Sequence, residues 1–183
     1  MKIHTTVLSG LVVIDSELFS DHRGSFTRLF CSRELASVLG ARQVVQTNRS
    51  VTYACGAVRG LHYQHPPYAE MKLVRCLRGS IWDVAVDLRV GSPTFLCWHA
   101  EELSVDNARM MVIPEGFAHG FQTLEENSEI FYQHTAFYAP SAEGGIAWND
   151  PILDIHWPLP VVDLSIRDSS HLLLTSSFSG IYA

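Results

Sequence analysis

Short runs of β-forming residues, each cut off by a glycine, proline or polar turn, recur along most of this chain. That rhythm leaves few folds open. The runs are Gln43–Thr47, Met71–Cys76, Ile81–Leu88, Phe95–His99, Met110–Ile113 and Ile130–Tyr138. Between them stand Gly56, Arg78-Gly79, Gly91-Ser92-Pro93, Pro114-Glu115-Gly116 and Ala139-Pro140. Within Ile81–Leu88, Trp82, Val84, Val86 and Leu88 share one face, and Asp83 and Asp87 share the other. Only Ser32–Leu39 reads as a helix, with Ser32 as N-cap and Gly40 just past its end. Many short strands with one or two minor helices predict an all-β sandwich or barrel. No linker, repeat or low-complexity run divides the chain, so residues 1–183 are expected to form one domain. Residues 169–183 lack periodicity and are expected to run over the surface as a tail.

Composition narrows the partners. A chain of 183 residues with 47% hydrophobic and 17% charged residues is globular and not disordered. A net charge of -6 argues against nucleic acid or an anionic membrane as the main partner. It leaves room for a small anion held by a local cluster of Arg, Lys and His. The four cysteines, Cys31, Cys55, Cys76 and Cys97, have no metal-binding spacing. The apolar run Val7–Ile14 is broken by Ser9 and Gly10 and is too short for a signal or a span. A soluble protein of a reducing cytoplasm is the expectation.

Two segments concentrate chemistry. One is Arg59-Gly-Leu-His62-Tyr-Gln64-His65, followed by Glu70, Lys72 and Arg75; the other is Pro114-Glu-Gly-Phe-Ala-His119-Gly-Phe121. Together they have the outline of the two cupin motifs, which predicts a cupin-type jelly roll. Metal cupins place two histidines at i and i+2, because alternate strand residues face one lumen. Here the i+2 position from His62 is Gln64, so a set of His62, Glu70 and His119 is one imidazole short and no metal is expected. Arg59, Lys72 and Arg75 would crowd positive charge into one region of sheet, which is costly without an anion or carboxylates. Asp83 and Asp87 either balance that charge or form a solvated strand face. Arg59 and His62 differ in strand parity, so both face the lumen only if Gly60 marks a bulge.

The motifs in order are Arg59-Gly-Leu-His-Tyr-Gln, Lys72-Leu-Val-Arg75-Cys, Asp83-Val-Ala-Val-Asp87-Leu-Arg, Gly91-Ser-Pro-Thr-Phe, Ile113-Pro-Glu-Gly-Phe-Ala-His119-Gly-Phe and Trp148-Asn-Asp-Pro. They resemble the dTDP-4-dehydrorhamnose 3,5-epimerase family from Asp21 to Asp168. The resemblance implies a jelly-roll homodimer without metal or cofactor, acting on a nucleotide-linked 4-keto-6-deoxyhexose. By matching position it implies His62 as general base, Asp168 as the carboxylate orienting it, Tyr132 as the acid on the other face of the sugar, and Lys72 beside the ketone oxygen. It places Arg23, Arg59, His119, Gln46, Asn48, Glu143 and Arg167 among substrate-binding positions. The roles are mutually consistent. A carbon beside a ketone is acidic because its anion is an enolate, which needs a near-neutral base and a cation at oxygen.

Four positions depart from the family pattern. Arg28 stands where an acid is usual, Thr47 replaces Asp between Gln46 and Asn48, Arg167 replaces Lys, and Glu70 sits where Gln is common. Arg28 and Thr47 are expected to alter charge where nucleotide or sugar binds, leaving open dTDP, CDP or another carrier, and inversion at C3, C5 or both. The competing readings are a metal-dependent cupin isomerase or oxygenase, and an inactive sugar-nucleotide-binding cupin.

Overall fold

Most of the punctuated runs fold as strands, although residues 43–45, 95–97 and 135–138 lie outside them, and the computed structural model describes residues 1–183. In chain order the strands are β1 (Lys2–Thr5), β2 (Val12–Asp15), β3 (Leu18–Asp21), β4 (Gly24–Thr27), β5 (Gln46–Thr52), β6 (Val58–Gln64) and β7 (Lys72–Arg78). They continue with β8 (Ser80–Asp87), β9 (Trp98–Ser104), β10 (Arg109–Ile113), β11 (Phe117–Thr123), β12 (Ser128–His134) and β13 (Glu143–Gly145). Two four-residue helices, α1 (Ala36–Leu39) and α2 (Ile166–Ser169), complete the regular structure. No helix is long and apolar enough to cross a membrane. A six-stranded sheet of order β1-β2-β10-β7-β12-β5 faces a five-stranded sheet of order β13-β6-β11-β8-β9, and β3-β4 forms a separate hairpin. This is the all-β sandwich expected from the punctuation, of the cupin type that the two motifs predict.

Register decides which side chains share the interior. Across the six-stranded sheet, Gln46, His134 and Lys72 form one row, Asn48, Tyr132 and Val74 the next, and Ser50, Ile130 and Cys76 the third. Val74, Cys76 and Ile130 meet Ile81, Ala85, Leu103 and Phe121 of the opposite sheet in an apolar core. Each such fully buried side chain contributes roughly 1.5–3 kcal/mol. Moving along the same rows, apolar residues give way to His134, Lys72 and Tyr132, so the sandwich is dry in its middle and polar where the strands end.

The five-stranded sheet is covered on both faces. Val84, Val86 and Leu88 point outward, where Ile146, Leu153 and Ile181 pack over them. The apolar stripe of β8 is therefore its outer face, and Asp83 and Asp87 are fully buried. Neither aspartate is solvated. The segment beyond α2 closes this face. Phe178 stacks on Phe95, and Ile181 bridges Arg89.

The expected helix is shorter than its sequence suggested. Residues 32–35 are turns, and α1 starts at Ala36 after Leu35, with no side-chain cap from Ser32. What sets this segment is the docking of buried Leu35 and Leu39, four residues apart, against Val12, Leu73 and Met110. Gly40 does end the helix, at φ 59°.

Candidate active site

The site begins with a fault in β6. His62 lies opposite His119 on β11, whereas Arg59 lies opposite Phe121, so β6 carries one extra residue between them. Gly60, at φ +124°, absorbs it, and a Cβ there would stand 2.5 Å from Gly120 Cα. The expected bulge is present, and it lets Arg59 and His62 line one cavity despite their odd spacing.

Asp168 reaches the same point from α2. Ser165 caps this helix, its Oγ accepting from the Asp168 backbone N–H, which turns the carboxylate inward to 3% exposure. Its Oδ1 lies 2.7 Å from His62 Nε2, and its Oδ2 accepts from the Gly60 N–H at 3.3 Å. Arg167 Nη2 also stands 3.0 Å from His62 Nε2. One nitrogen cannot donate to the first and accept from the second. The short contact to an anion selects donation to Asp168, which leaves Nδ1 with the free lone pair. Burial alone would raise the Asp168 carboxyl, but the His62 hydrogen bond and charge, the Gly60 N–H and Arg167 outweigh it and hold it at about 2. His62 is lowered from its ordinary value, first by burial and further by Arg167 and Lys72, against the pull of Asp168. It is a neutral base at neutral pH.

The facing sheet supplies the other groups. Tyr132 lines the same cavity from β12, its phenol raised by burial. Lys72 Nζ lies 3.3 Å from the His62 carbonyl and 3.3 Å from Glu70 Oε1. On the sheet that carries His62, Asp83 Oδ1 lies 2.7 Å from His119 Nε2, and burial raises the Asp83 carboxyl despite that partner. The cavity measures about 370 Å³. A neighbouring lobe of about 360 Å³ shares His62, Lys72, Tyr132, His134 and Arg167 and adds Gln46, Asn48, Glu70, Tyr138 and Glu143. Glu143 anchors that lobe, accepting from Arg167 Nη1 at 2.9 Å and from the Tyr138 hydroxyl at 3.0 Å.

Ten of the eleven residues singled out from the sequence thus converge on these two lobes. Arg23 does not. It sits at the tip of the β3-β4 hairpin, 77% exposed and paired with Asp21, beside the exposed rings of Phe19 and Phe26. Arg75 also lies elsewhere, because three residues along a strand from Lys72 is the opposite face. It is buried without a carboxylate and donates to Leu29 O, Ala108 O and Ser16 Oγ, tying both feet of the hairpin; burial lowers it to about 10.

The departures redistribute in the same way. Thr47 is exposed on the outer face of β5, and Arg28 is exposed and paired with Glu34, so neither lines the cavity of this chain. Glu70 and Arg167, the milder changes by sequence, are the two inside it.

The metal set weighed from the sequence does not assemble. Glu70 is turned to Lys72 and His134, and His119 to Asp83. Gln64, at the missing-ligand position, holds a loop instead, bonding Tyr68 O, Phe137 O and the Ala139 N–H. Three donors do lie together at His62, Asp168 and His171. The guanidinium of Arg167 against His62 opposes a cation at that point. Sequence reasoning passed over His134 and His171. The i+2 spacing of His134 from Tyr132 was the available signal for the first.

An imidazole paired with a buried carboxylate, with a phenol and an ammonium on the facing sheet, is an arrangement that fits an epimerase of the cupin type. The sequence model of dTDP-4-dehydrorhamnose 3,5-epimerase matches residues 5–176. The chain belongs to the dTDP-4-dehydrorhamnose 3,5-epimerase family. It is 46% identical over 160 residues to an enzyme of that name from Pseudomonas aeruginosa, covering 87% of each chain. It is 35% identical over 178 residues to a dTDP-4-dehydrorhamnose 3-epimerase from Streptomyces niveus, covering 97% of this chain and 86% of the other. Among solved structures, dTDP-6-deoxy-D-glucose-3,5-epimerase from Legionella pneumophila, in complex with dTDP-4-keto-L-rhamnose, superposes with a TM-score of 0.92 at 38% identity, covering 100% of this chain and 98% of that one.

Proposed function

We propose that the protein epimerises a dTDP-linked 4-keto-6-deoxyhexose by proton transfer beside the ketone. The observation that carries this reading is the His62–Asp168 pair on one sheet facing Tyr132 on the other within a single cavity. His62 Nδ1 takes a proton from the carbon next to C4, and the electron pair moves to the ketone oxygen as an enolate. The Lys72 ammonium meets that negative oxygen, and Tyr132 returns a proton to the carbon from the opposite face. A base near neutrality typically contributes ~10²–10⁴-fold to such a step. Arg59 and Arg167 at the lip supply positive charge for a diphosphate, and the lobe at Gln46 and Asn48 has room for the nucleoside. Two adjoining lobes of this size suit an elongated ligand.

The acting species in this reading is a homodimer. Arg23 cannot serve the cavity of its own chain from the hairpin tip, and two exposed aromatic rings beside it offer apolar surface to a second copy. Arg23 then acts from the partner.

The test is deuterium incorporation from solvent into dTDP-4-keto-6-deoxyglucose, followed position by position. Wild type is expected to label C5 and C3, whereas label at C3 alone would assign it the narrower reaction of the Streptomyces niveus relative. His62→Ala is expected to abolish label at both carbons. Tyr132→Phe is expected to keep some C3 label while impairing net inversion at C5. Wild-type exchange rates in His62→Ala would end this reading.

A further inference from the structure

A line of hydrogen bonds that the reaction does not use joins the nucleoside lobe to the catalytic ammonium. Asn48 Nδ2 lies 3.1 Å from His134 Nε2, and His134 Nδ1 lies 2.7 Å from Glu70 Oε2. The other oxygen of Glu70 faces Lys72 Nζ at 3.3 Å. An amide nitrogen only donates, so His134 Nε2 accepts and the imidazole proton sits on Nδ1, donating to Glu70. One tautomer satisfies every link. The His134 and Glu70 side chains are 7% and 8% exposed, so a broken link would leave a buried polar atom unpaired. The His134 ring also stands edge-on to Tyr132, 5.2 Å between centroids.

The two bonds to Glu70 are unequal, and that inequality matters. A carboxylate beside an ammonium in a dry cavity tends to close on it and cancel its charge. Here the short bond to His134 holds Glu70 back, and the longer contact leaves Lys72 free to lean toward a new anion. Resting on the proton-transfer reading above, we propose that Asn48 and His134 are positioning residues that hold Glu70 off the Lys72 ammonium and so keep it available to the enolate oxygen. Burial would raise the Glu70 carboxyl, but the His134 bond and the Lys72 charge outweigh it and keep it ionised. Because Asn48 lies in the other lobe, an occupant there bears on the same line.

The experiment is a rescue. His134→Leu releases Glu70 to close on Lys72, and kcat is expected to fall about tenfold or more, as for a lost bond to a charged group, with KM within about twofold. Glu70→Gln in the same protein removes the competing charge and is expected to restore most of kcat, which repair of packing would not do. Glu70→Gln alone leaves the interior volume unchanged, removes the charge that competes for Lys72, and is expected to raise kcat above wild type. Should His134→Leu fail to fold, that single variant decides, and a tenfold loss in it overturns the proposal. A folded His134→Leu with wild-type kcat, or a double variant as slow as the single, overturns it equally. Wild-type protein that exchanges no deuterium into the keto sugar overturns the reaction itself and this role with it. Wild-type exchange with an unaffected His134→Leu overturns only the role.

Discussion

In the proposed reaction His62 suits the part of base because its surroundings pull its proton affinity down while Asp168 keeps its ring oriented. The sign of the pH effect follows. A lowered imidazole stays neutral below the ordinary value of about 6.5, so kcat/KM is expected to hold as pH falls past that point and to drop only beneath it. Arg167→Leu removes one of the charges lowering it, and the acid limb is expected to move to higher pH. An unmoved limb would assign Arg167 to binding alone. Of the residues proposed to react, His62 and Lys72 sit in spaced motifs, whereas Tyr132 and Asp168 stood out only through the family resemblance. His134 did not stand out, since a histidine two residues along a strand from a tyrosine looks like ordinary interior filling until its two partners are seen. Arg75 misled for the converse reason. Its proximity in sequence to Lys72 suggested a shared site, but odd spacing on a strand means opposite faces.

At the level of elements, the site depends on a bulge and on a helix of one turn. Gly60→Ala places a methyl against the Gly120 backbone in a conformation that side chains rarely adopt. It is expected to cost more than about 1 kcal/mol of stability and to dislodge His62 relative to Arg59, checked by thermal unfolding and by deuterium exchange. This bulge was readable from parity alone. The two-sided covering of β8 was not. Its alternation marked which residues share a face but not which face lies inside, because that depends on residues 146–181 folding back over the sheet. A separate long-range contact, with Val12, Leu73 and Met110, docks the single turn of α1 through Leu35 and Leu39.

For the whole molecule, the unassigned question is how Arg23 reaches a substrate. If the hairpin serves a second copy, Arg23→Ala and His62→Ala proteins, each nearly inactive, are expected to complement when mixed and allowed to exchange subunits. Random pairing makes half of the dimers hybrids with one intact site, or about a quarter of wild-type activity. No recovery would mean that Arg23 does not act from a second copy, and wild-type activity in Arg23→Ala alone would place it outside the reaction. The family resemblance carried the fold and picked out residues that converge on one cavity, and what it left unread was the contact between segments far apart in the chain. One such contact sets an order of events. His62 and Asp168 are 106 residues apart, and Gly60 holds the carboxylate through its backbone. During synthesis, both sheets can therefore be laid down before residues 165–168 leave the ribosome. Until they arrive, the two sheets hold His62 without the carboxylate that pairs with it, and the site is complete only when that segment docks.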